Sequence, residues 1–201
     1  MTKTIPILLL AAGASTRMRG RDKLLERIDG RPLLLRQTDA ALATGHPVFV
    51  ALPDLNHARS ALLADHPVTR IPCSDSAEGL SGTLRNIISA LPEDTSAALL
   101  LLADLPEITA SDIETVLTAQ TLESDALIWR GATQDRHPGH PILIAAQLFP
   151  EFQLLTGDTG GQPVLKRHTD RTVLVPLPGN RARLDLDTPE DWADWRASRT
   201  R

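Results

Sequence analysis

Ile5-Pro-Ile-Leu-Leu-Leu-Ala-Ala12 is an unbroken apolar run, and Gly13-Ala-Ser-Thr-Arg-Met-Arg-Gly20 follows it directly. A continuous apolar run of this length suits a strand covered on both faces, as in a parallel sheet with helices above and below it. The small residues that follow read as a loop bringing bare backbone N–H groups to the end of that strand. Such a concavity can cradle a phosphate, and Arg17 and Lys23 would supply counter-charge. The plain alternative is a surface turn carrying two solvated cations. The loop is not a Walker A sequence, because no Gly-Lys-Ser/Thr tripeptide occurs, and Gly-x-Gly-x-x-Gly is absent.

The alternation of strand and helix continues downstream. Pro32 to Thr44 reads as a helix, with Pro32 tolerated in the first turn and Gly45 beyond the end. Val48 to Leu52 is a strand stopped by Pro53, Asn56 to Asp65 a helix with Asn56 as its cap, and Val68 to Ile71 a strand. A helix opens at Ser81 or Gly82 and runs to Leu91. Ala97 to Ala103, the most apolar strand, is placed at the centre of the sheet, and Thr109 or Ser111 caps a helix ending near Gln120. Strand–helix repeated four times with short connections predicts a parallel, doubly wound sheet with right-handed crossovers. After Thr121 the order becomes less regular. Ala126 to Trp129 and Pro141 to Ala145 read as strands flanking a polar loop, Gly131 to His140. Phe149 to Leu155 and Gln162 to His168 read as helices, Thr172 to Pro176 as a strand, and Leu184 and Leu186 as part of an extended piece. Pro189 to Ser198 is a final helix capped by Thr188. The expected architecture is α/β, three-layered and Rossmann-like, with a mostly parallel central sheet.

Composition narrows the partners. The 201 residues fit one domain, large enough to fold without disulfide staples. With 42 % hydrophobic and 23 % charged residues the chain is ordinary globular material, and with 3 % aromatics and no Tyr its core must be aliphatic. A net charge of −4 argues against duplex nucleic acid, and scarce aromatics argue against base stacking, so no nucleic-acid partner is expected. A single cysteine, Cys73, excludes an internal disulfide and a Cys-rich zinc site, and reads as a small buried apolar residue. No apolar stretch reaches the roughly 18 residues of a membrane helix. The run at 5–12 is better used as a buried strand than as a signal-peptide core, so no membrane partner and a cytoplasmic location are expected.

Four features could carry chemistry. The first is the loop with Arg17 and Lys23. The second is Asp104, at the carboxyl end of the most buried strand, where ligands bind in open α/β sheets and where magnesium could find a carboxylate; a turn cap is the plainer use. The third is Asp185-Leu-Asp187, whose alternation on an extended segment puts both carboxylates on one face. Asp185 is favoured as a second metal ligand with Asp104, and Asp187 is the substitute. The fourth is Gly79-Leu-Ser-Gly-Thr83 at a helix start, suited to an anion or a ribose and base edge, or simply to capping. The six histidines lack zinc-helix spacing, and His137-Pro-Gly-His140 has no cysteine beside it.

Leu10-Ala-Ala-Gly-Ala-Ser-Thr-Arg-Met18, with Gly20 and Lys23-Leu-Leu25, resembles the signature of nucleotidyltransferases of the molybdenum-cofactor group. Glu78-Gly-Leu-Ser-Gly-Thr-Leu84, Ala103-Asp-Leu-Pro106, Gly139-His-Pro-Ile142, Gly157-Asp-Thr-Gly160 and Leu184-Asp-Leu-Asp-Thr-Pro-Glu-Asp191 resemble further family blocks in the family's order. The pattern is most similar to the molybdenum cofactor cytidylyltransferase family. Two extra residues within Met18 to Lys23, and Gly160-Gly-Gln162 where the family often has Gly-Ala-Arg, depart from it. The resemblance implies a single domain with a GT-A-like fold, nucleotide-binding over residues 1–120 and acceptor-binding over 121–201. It implies catalytic roles for Arg17, Lys23 and Asp104, magnesium on Asp104 and Asp185, and nucleotide contacts from Leu10, Ala11, Ala12, Gly13, Ser15, Arg17, Lys23, Gly79, Ser81 and Thr83. Gly139, His140, Asp158 and Gly160 would contact the acceptor. CTP and a molybdopterin-type acceptor are the implied substrates, with transient contact to a molybdoenzyme or its chaperone. Guanylyl-transferring relatives carry Leu-Ala-Gly-Gly where this chain has Leu10-Ala-Ala-Gly13. GTP, sugar or polyol phosphates, and a non-catalytic nucleotide-binding regulatory domain are the alternatives.

Overall fold

The computed structural model describes residues 4–74, 78–121 and 125–199. Strand β1 (Ile7–Leu10) lies inside a seven-stranded sheet and pairs in parallel on both sides, Ile7 facing Val48 and Leu99. Its neighbours are β4 (Val48–Leu52) and β6 (Ala97–Leu102), and β5 (Thr69–Pro72) extends the parallel half beyond β4. With β8 (Pro138–Ala145), β7 (Ile128–Ala132) and β9 (Thr172–Pro176) beyond β6, the full order is β5-β4-β1-β6-β8-β7-β9, so β6 is the middle strand, as its apolar sequence predicts. Leu99 and Leu101 are fully buried. The sheet is covered by α1 (Leu33–Leu42), α3 (Leu80–Ser89) and α4 (Ala110–Ala119), and α1 and α3 use buried stripes of Leu, Ile and Ala.

The second half corrects the expectation of a long polar loop. Strands β7 (Ile128–Ala132) and β8 (Pro138–Ala145) extend into it from both sides, leaving a turn at 133–137. Backbone ladders are indifferent to side-chain polarity, and so short a connection forces antiparallel pairing. Strand β8 is antiparallel to both β6 and β7, and β9 (Thr172–Pro176) closes the sheet in parallel with β7. The sheet is therefore mostly parallel with one reversed strand.

Helix ends follow local hydrogen bonding. Helix α2 (Ala58–Leu62) starts later than Asn56, because Asp54 Oδ1 takes the Asn56 N–H at 2.7 Å in a turn. His57 is its cap, with Nδ1 accepting from the Arg59 N–H at 3.2 Å. Thr109 caps α4 and Thr188 caps α7 (Pro189–Ser198), each in a reciprocal box with the Asp three residues on. A hairpin of β2 (Arg27–Ile28) and β3 (Arg31–Pro32) precedes α1, turning at Asp29-Gly30, both with positive φ. Helix α7 lies against this hairpin: Arg196 donates to Glu26 and to the Arg27 carbonyl, and Arg199 to Asp29. Helices α5 (Phe149–Gln153) and α6 (Gln162–Arg167) complete the chain, close to their expected spans.

Candidate active-site cleft

Strands β1 and β6 lie side by side and run in the same direction, so the loop after Leu10 and the carboxylate after Ala103 emerge at one edge of the sheet. A cleft of about 530 Å³ opens there, lined by Leu10 to Ala14, Arg17, Lys23, Gly79, Thr83, Asp104, Asp158, Asp185 and Asp187. That is the size of an ordinary small-molecule site. Leu186 anchors the last two acids: it is buried, and its N–H donates to the Asp104 carbonyl at 3.3 Å. Turns at 179–183 lead into it and residues 184–187 form neither helix nor strand, yet both flanking carboxylates reach the cleft.

Lys23 Nζ sits between two acids, donating to Asp104 Oδ2 at 2.5 Å and Asp187 Oδ1 at 2.6 Å. Burial alone would lower the pKa of this ammonium; the charge and hydrogen bond of Asp104, then Asp187, more than offset it and hold the pKa above its usual value. Arg17, largely exposed, pairs with Asp187 Oδ2 at 2.7 Å. Asp185 has no ion pair among the described residues. Burial, and then the nearby charges of Asp187 and Asp104, raise its pKa. Asp104 Oδ1 is buried without a hydrogen-bond partner. Four carboxylates, Asp104, Asp158, Asp185 and Asp187, against the two cations Lys23 and Arg17 leave the cleft short of positive charge. Among the described residues no group of three or more His, Cys, Asp or Glu forms a ready-made cage. An orphaned Asp104 oxygen beside an unpaired Asp185 is instead the half-built donor set that suits magnesium, which takes one or two carboxylates and completes its shell with phosphate and water.

Several predicted residues serve the fold around the cleft rather than its interior. The Ser15 hydroxyl accepts from Lys23 N at 3.3 Å and donates to Asp22 Oδ1 at 3.4 Å. Ser81 is buried and donates to the Thr156 carbonyl at 3.3 Å. The α3 start is not open to an outside anion at Leu80, whose N–H donates to Asp158 Oδ1 at 3.0 Å. Gly79 is required twice there: its φ is +105°, and a Cβ would lie 2.2 Å from Asp158 Oδ1. Gly139 lies against Ala182, whose carbonyl a Cβ would meet at 2.1 Å. His140 donates its N–H to the same carbonyl at 2.8 Å. Burial, then the charge of Arg130, lower the His140 pKa to about 4, so the ring is neutral at physiological pH. Gly160 packs on Leu80. Of the four expected acceptor residues, only Asp158 lines the cleft.

Arg59 went unnoticed in the sequence. It is 2 % exposed and reaches the loop from α2, with Nη1 donating to the carbonyls of Ala11 at 2.6 Å and Gly13 at 2.8 Å. Its Nε and Nη2 form a fork onto Asp22, both at 2.7 Å. No sequence pattern marks a residue whose acceptors are backbone carbonyls more than 40 positions away.

Residues 7–172 match the family model described as the MobA-like NTP transferase domain. The chain belongs to that family. It is 34 % identical over 107 residues to a probable molybdenum cofactor guanylyltransferase of Synechococcus elongatus, covering 53 % of this chain and 54 % of that protein. It is 34 % identical over 127 residues to the bifunctional protein GlmU of Halorhodospira halophila, covering 61 % of this chain and 26 % of GlmU. The chain thus spans about half the length of the curated guanylyltransferase it matches. Rv0371c of Mycobacterium tuberculosis has the same fold, with a TM-score of 0.83, 22 % identity, and 97 % and 98 % of the two chains covered. A structure of Rv0371c in complex with manganese superimposes with a TM-score of 0.81, at 22 % identity over 98 % of this chain and 100 % of that one. CMP:2-keto-3-deoxy-manno-octonic acid synthetase complexed with CTP shares the fold at a TM-score of 0.77 and 15 % identity, with 98 % and 99 % of the chains covered. In this MobA-like domain no helix of the described residues is long and apolar enough to cross a membrane.

Proposed function

We propose that this MobA-like chain is a magnesium-dependent nucleotidyltransferase that moves CMP from CTP to a molybdopterin-type acceptor and releases pyrophosphate. The observation that carries the reading is the charge pattern of the cleft floor. A buried Asp104 oxygen without a hydrogen-bond partner and an Asp185 without an ion pair lie beside Lys23 and Arg17, under a loop of small residues. An acceptor phosphate oxygen attacks the α-phosphorus, and the bond to the pyrophosphate oxygen breaks. Both reactants are anions, so placement and positive charge do most of the catalysis, and no nucleophilic side chain is needed. Asp104 and Asp185 would hold the metal, which when bound offsets charge on the reacting phosphates. Lys23 orients the Asp104 carboxylate, and Arg17, anchored only to Asp187 from an exposed position, is free to swing onto the leaving pyrophosphate.

CTP is favoured by Ala12, whose methyl lies in the cleft wall where a glycine would let a larger base approach the backbone. The guanylyltransferase name of the Synechococcus relative favours GTP as the second reading. Transient contact with a recipient molybdoenzyme or its chaperone in the cytoplasm belongs to the same proposal. The test is to incubate the protein with magnesium, molybdopterin and either CTP or GTP, and to measure pyrophosphate. Equal release from both, or preference for GTP, removes the cytidylyl assignment. No release with any nucleotide removes the enzyme and favours a nucleotide-binding regulatory domain.

A further inference from the structure

We propose that Arg59 is the positioning residue of the phosphate-cradling loop, holding the Ala11 and Gly13 carbonyls away from the cleft so that the Ala12 and Ala14 amides face into it. The ligand named here, a triphosphate, rests on the nucleotidyltransferase reading above. Arg59 has five N–H donors and all five are used: two on the carbonyls, two on Asp22, and one on Ser15 Oγ at 3.1 Å. A buried ion pair alone would need only the fork onto Asp22. The remaining three donors grip the loop itself.

In a trans peptide the C=O of one residue and the N–H of the next point in opposite directions. The Ala11 carbonyl turns toward Arg59, so the Ala12 N–H turns away, and the Gly13 carbonyl orients the Ala14 N–H likewise. Among the described residues neither amide has a hydrogen-bond partner, while the preceding amide, Ala11 N–H, is still held in the sheet by the Ala51 carbonyl at 3.0 Å. Ala12 and Ala14 lie between two openings: the cleft that holds Asp104, which Arg59 does not line, and a second one, which Arg59 lines with Asp22 and His57. Two free amides directed away from Arg59 are therefore directed to the cleft side. Asp22 completes the device by also accepting from Leu24 N at 3.0 Å, which fixes the segment carrying Lys23 to the same guanidinium. Lysine, a point charge with three donors, cannot span this set.

The experiment compares the wild type with Arg59→Lys and Asp22→Asn. The readouts are the Ala12 and Ala14 amide resonances, binding of magnesium tripolyphosphate, and the split between nucleotide KM and kcat. Arg59→Lys is expected to remain folded by near-ultraviolet circular dichroism, to shift both amide resonances, and to weaken tripolyphosphate binding at least 30-fold. Its loss of turnover falls mainly on nucleotide KM, with acceptor KM unmoved. Asp22→Asn, which leaves the carbonyl grip in place, is expected to lose less than Arg59→Lys. The reverse order, or unchanged tripolyphosphate affinity in Arg59→Lys, overturns the assignment. Should Arg59→Lys fail to fold, the assignment stands or falls on whether Asp22→Asn leaves the two amide resonances in place. Wild-type protein that binds tripolyphosphate but turns over no nucleotide sinks the transferase reading and leaves the role of Arg59 standing.

Discussion

Replacing Lys23 by Met tests whether the ammonium is what holds the cleft floor together. The side chain is 15 % exposed and contacts Asp104 and Asp187, themselves 16 % and 14 % exposed. Met is close in volume and carries no charge, so the variant leaves four carboxylates facing only Arg17. Breaking a buried ion pair costs about 3–5 kcal/mol, and partial exposure brings the expected loss down to about 3 kcal/mol at neutral pH. For a domain near 200 residues that is a fall in Tm of roughly 6–12 °C. The pH dependence has a defined sign. The Lys23 pKa is raised in the folded state, so its stabilisation is fully present below the unfolded value of about 10.4 and is lost as pH rises through the folded one. In the variant the carboxylates that Lys23 bridged repel one another at neutral pH. Magnesium at neutral pH should recover part of the lost Tm, because it replaces the missing cation. Thermal melts at neutral pH, with and without magnesium, decide the matter. A Lys23→Met protein that melts with the wild type at neutral pH and ignores magnesium would falsify the bridging role.

Asp104→Asn should weaken magnesium or manganese binding and lower turnover at least 100-fold, about 2.7 kcal/mol, with little change in Tm; an active, destabilised variant would mean a turn cap instead. His140 should cost stability as pH falls, because its pKa is lowered to about 4 in the folded protein and lies near 6.5 unfolded. Stability present above pH ~6.5 should decline by about 3 kcal/mol on the way down through pH ~4, and urea melts of wild type against His140→Gln should isolate that slope. Glu78 is held near pKa 2, first by the Arg85 side chain and then by the Gly157 N–H, so its carboxylate should stay ionised to about pH 2. A carbon-detected titration showing a midpoint near 4 would contradict that contact pair.

Much of what has a local signal is legible in the sequence, with the Asn56 cap an exception. The apolar runs at 5–12 and 97–103 announce the central strands, Thr188 is the expected cap of its helix, and of the two candidates Thr109 and Ser111 it is Thr109 that caps α4. The Asp29-Gly30 hairpin carried an equally local signal, a dipeptide that favours positive φ, and it was passed over. What stayed hidden depends on contacts between distant positions. The antiparallel direction of β8 follows from a turn whose tightness composition does not show. That Asp158 accepts the Leu80 N–H at the start of a helix 78 positions earlier has no local signal either. Arg59 had the same difficulty with the backbone of a loop. Three histidines without zinc-helix spacing have structural partners instead: His57 caps a helix, His46 accepts from Ile5 N at 2.9 Å, and His168 meets Glu151 at 2.7 Å.

The three groups that meet at the Lys23 ammonium are far apart along the chain, 81 positions to Asp104 and 164 to Asp187. On a ribosome they appear in turn. At about 5–20 residues per second, Lys23 waits roughly 4–16 s for Asp104 and about as long again for Asp187. During that interval the parallel half of the sheet has its strands, while its cleft lacks both the second acid partner and the anchor for Arg17. Helix α7, which follows Asp187 directly, is fastened by Arg196 to Glu26 and by Arg199 to Asp29, so the segment that brings Asp187 to Lys23 is itself tied to the hairpin beside Lys23.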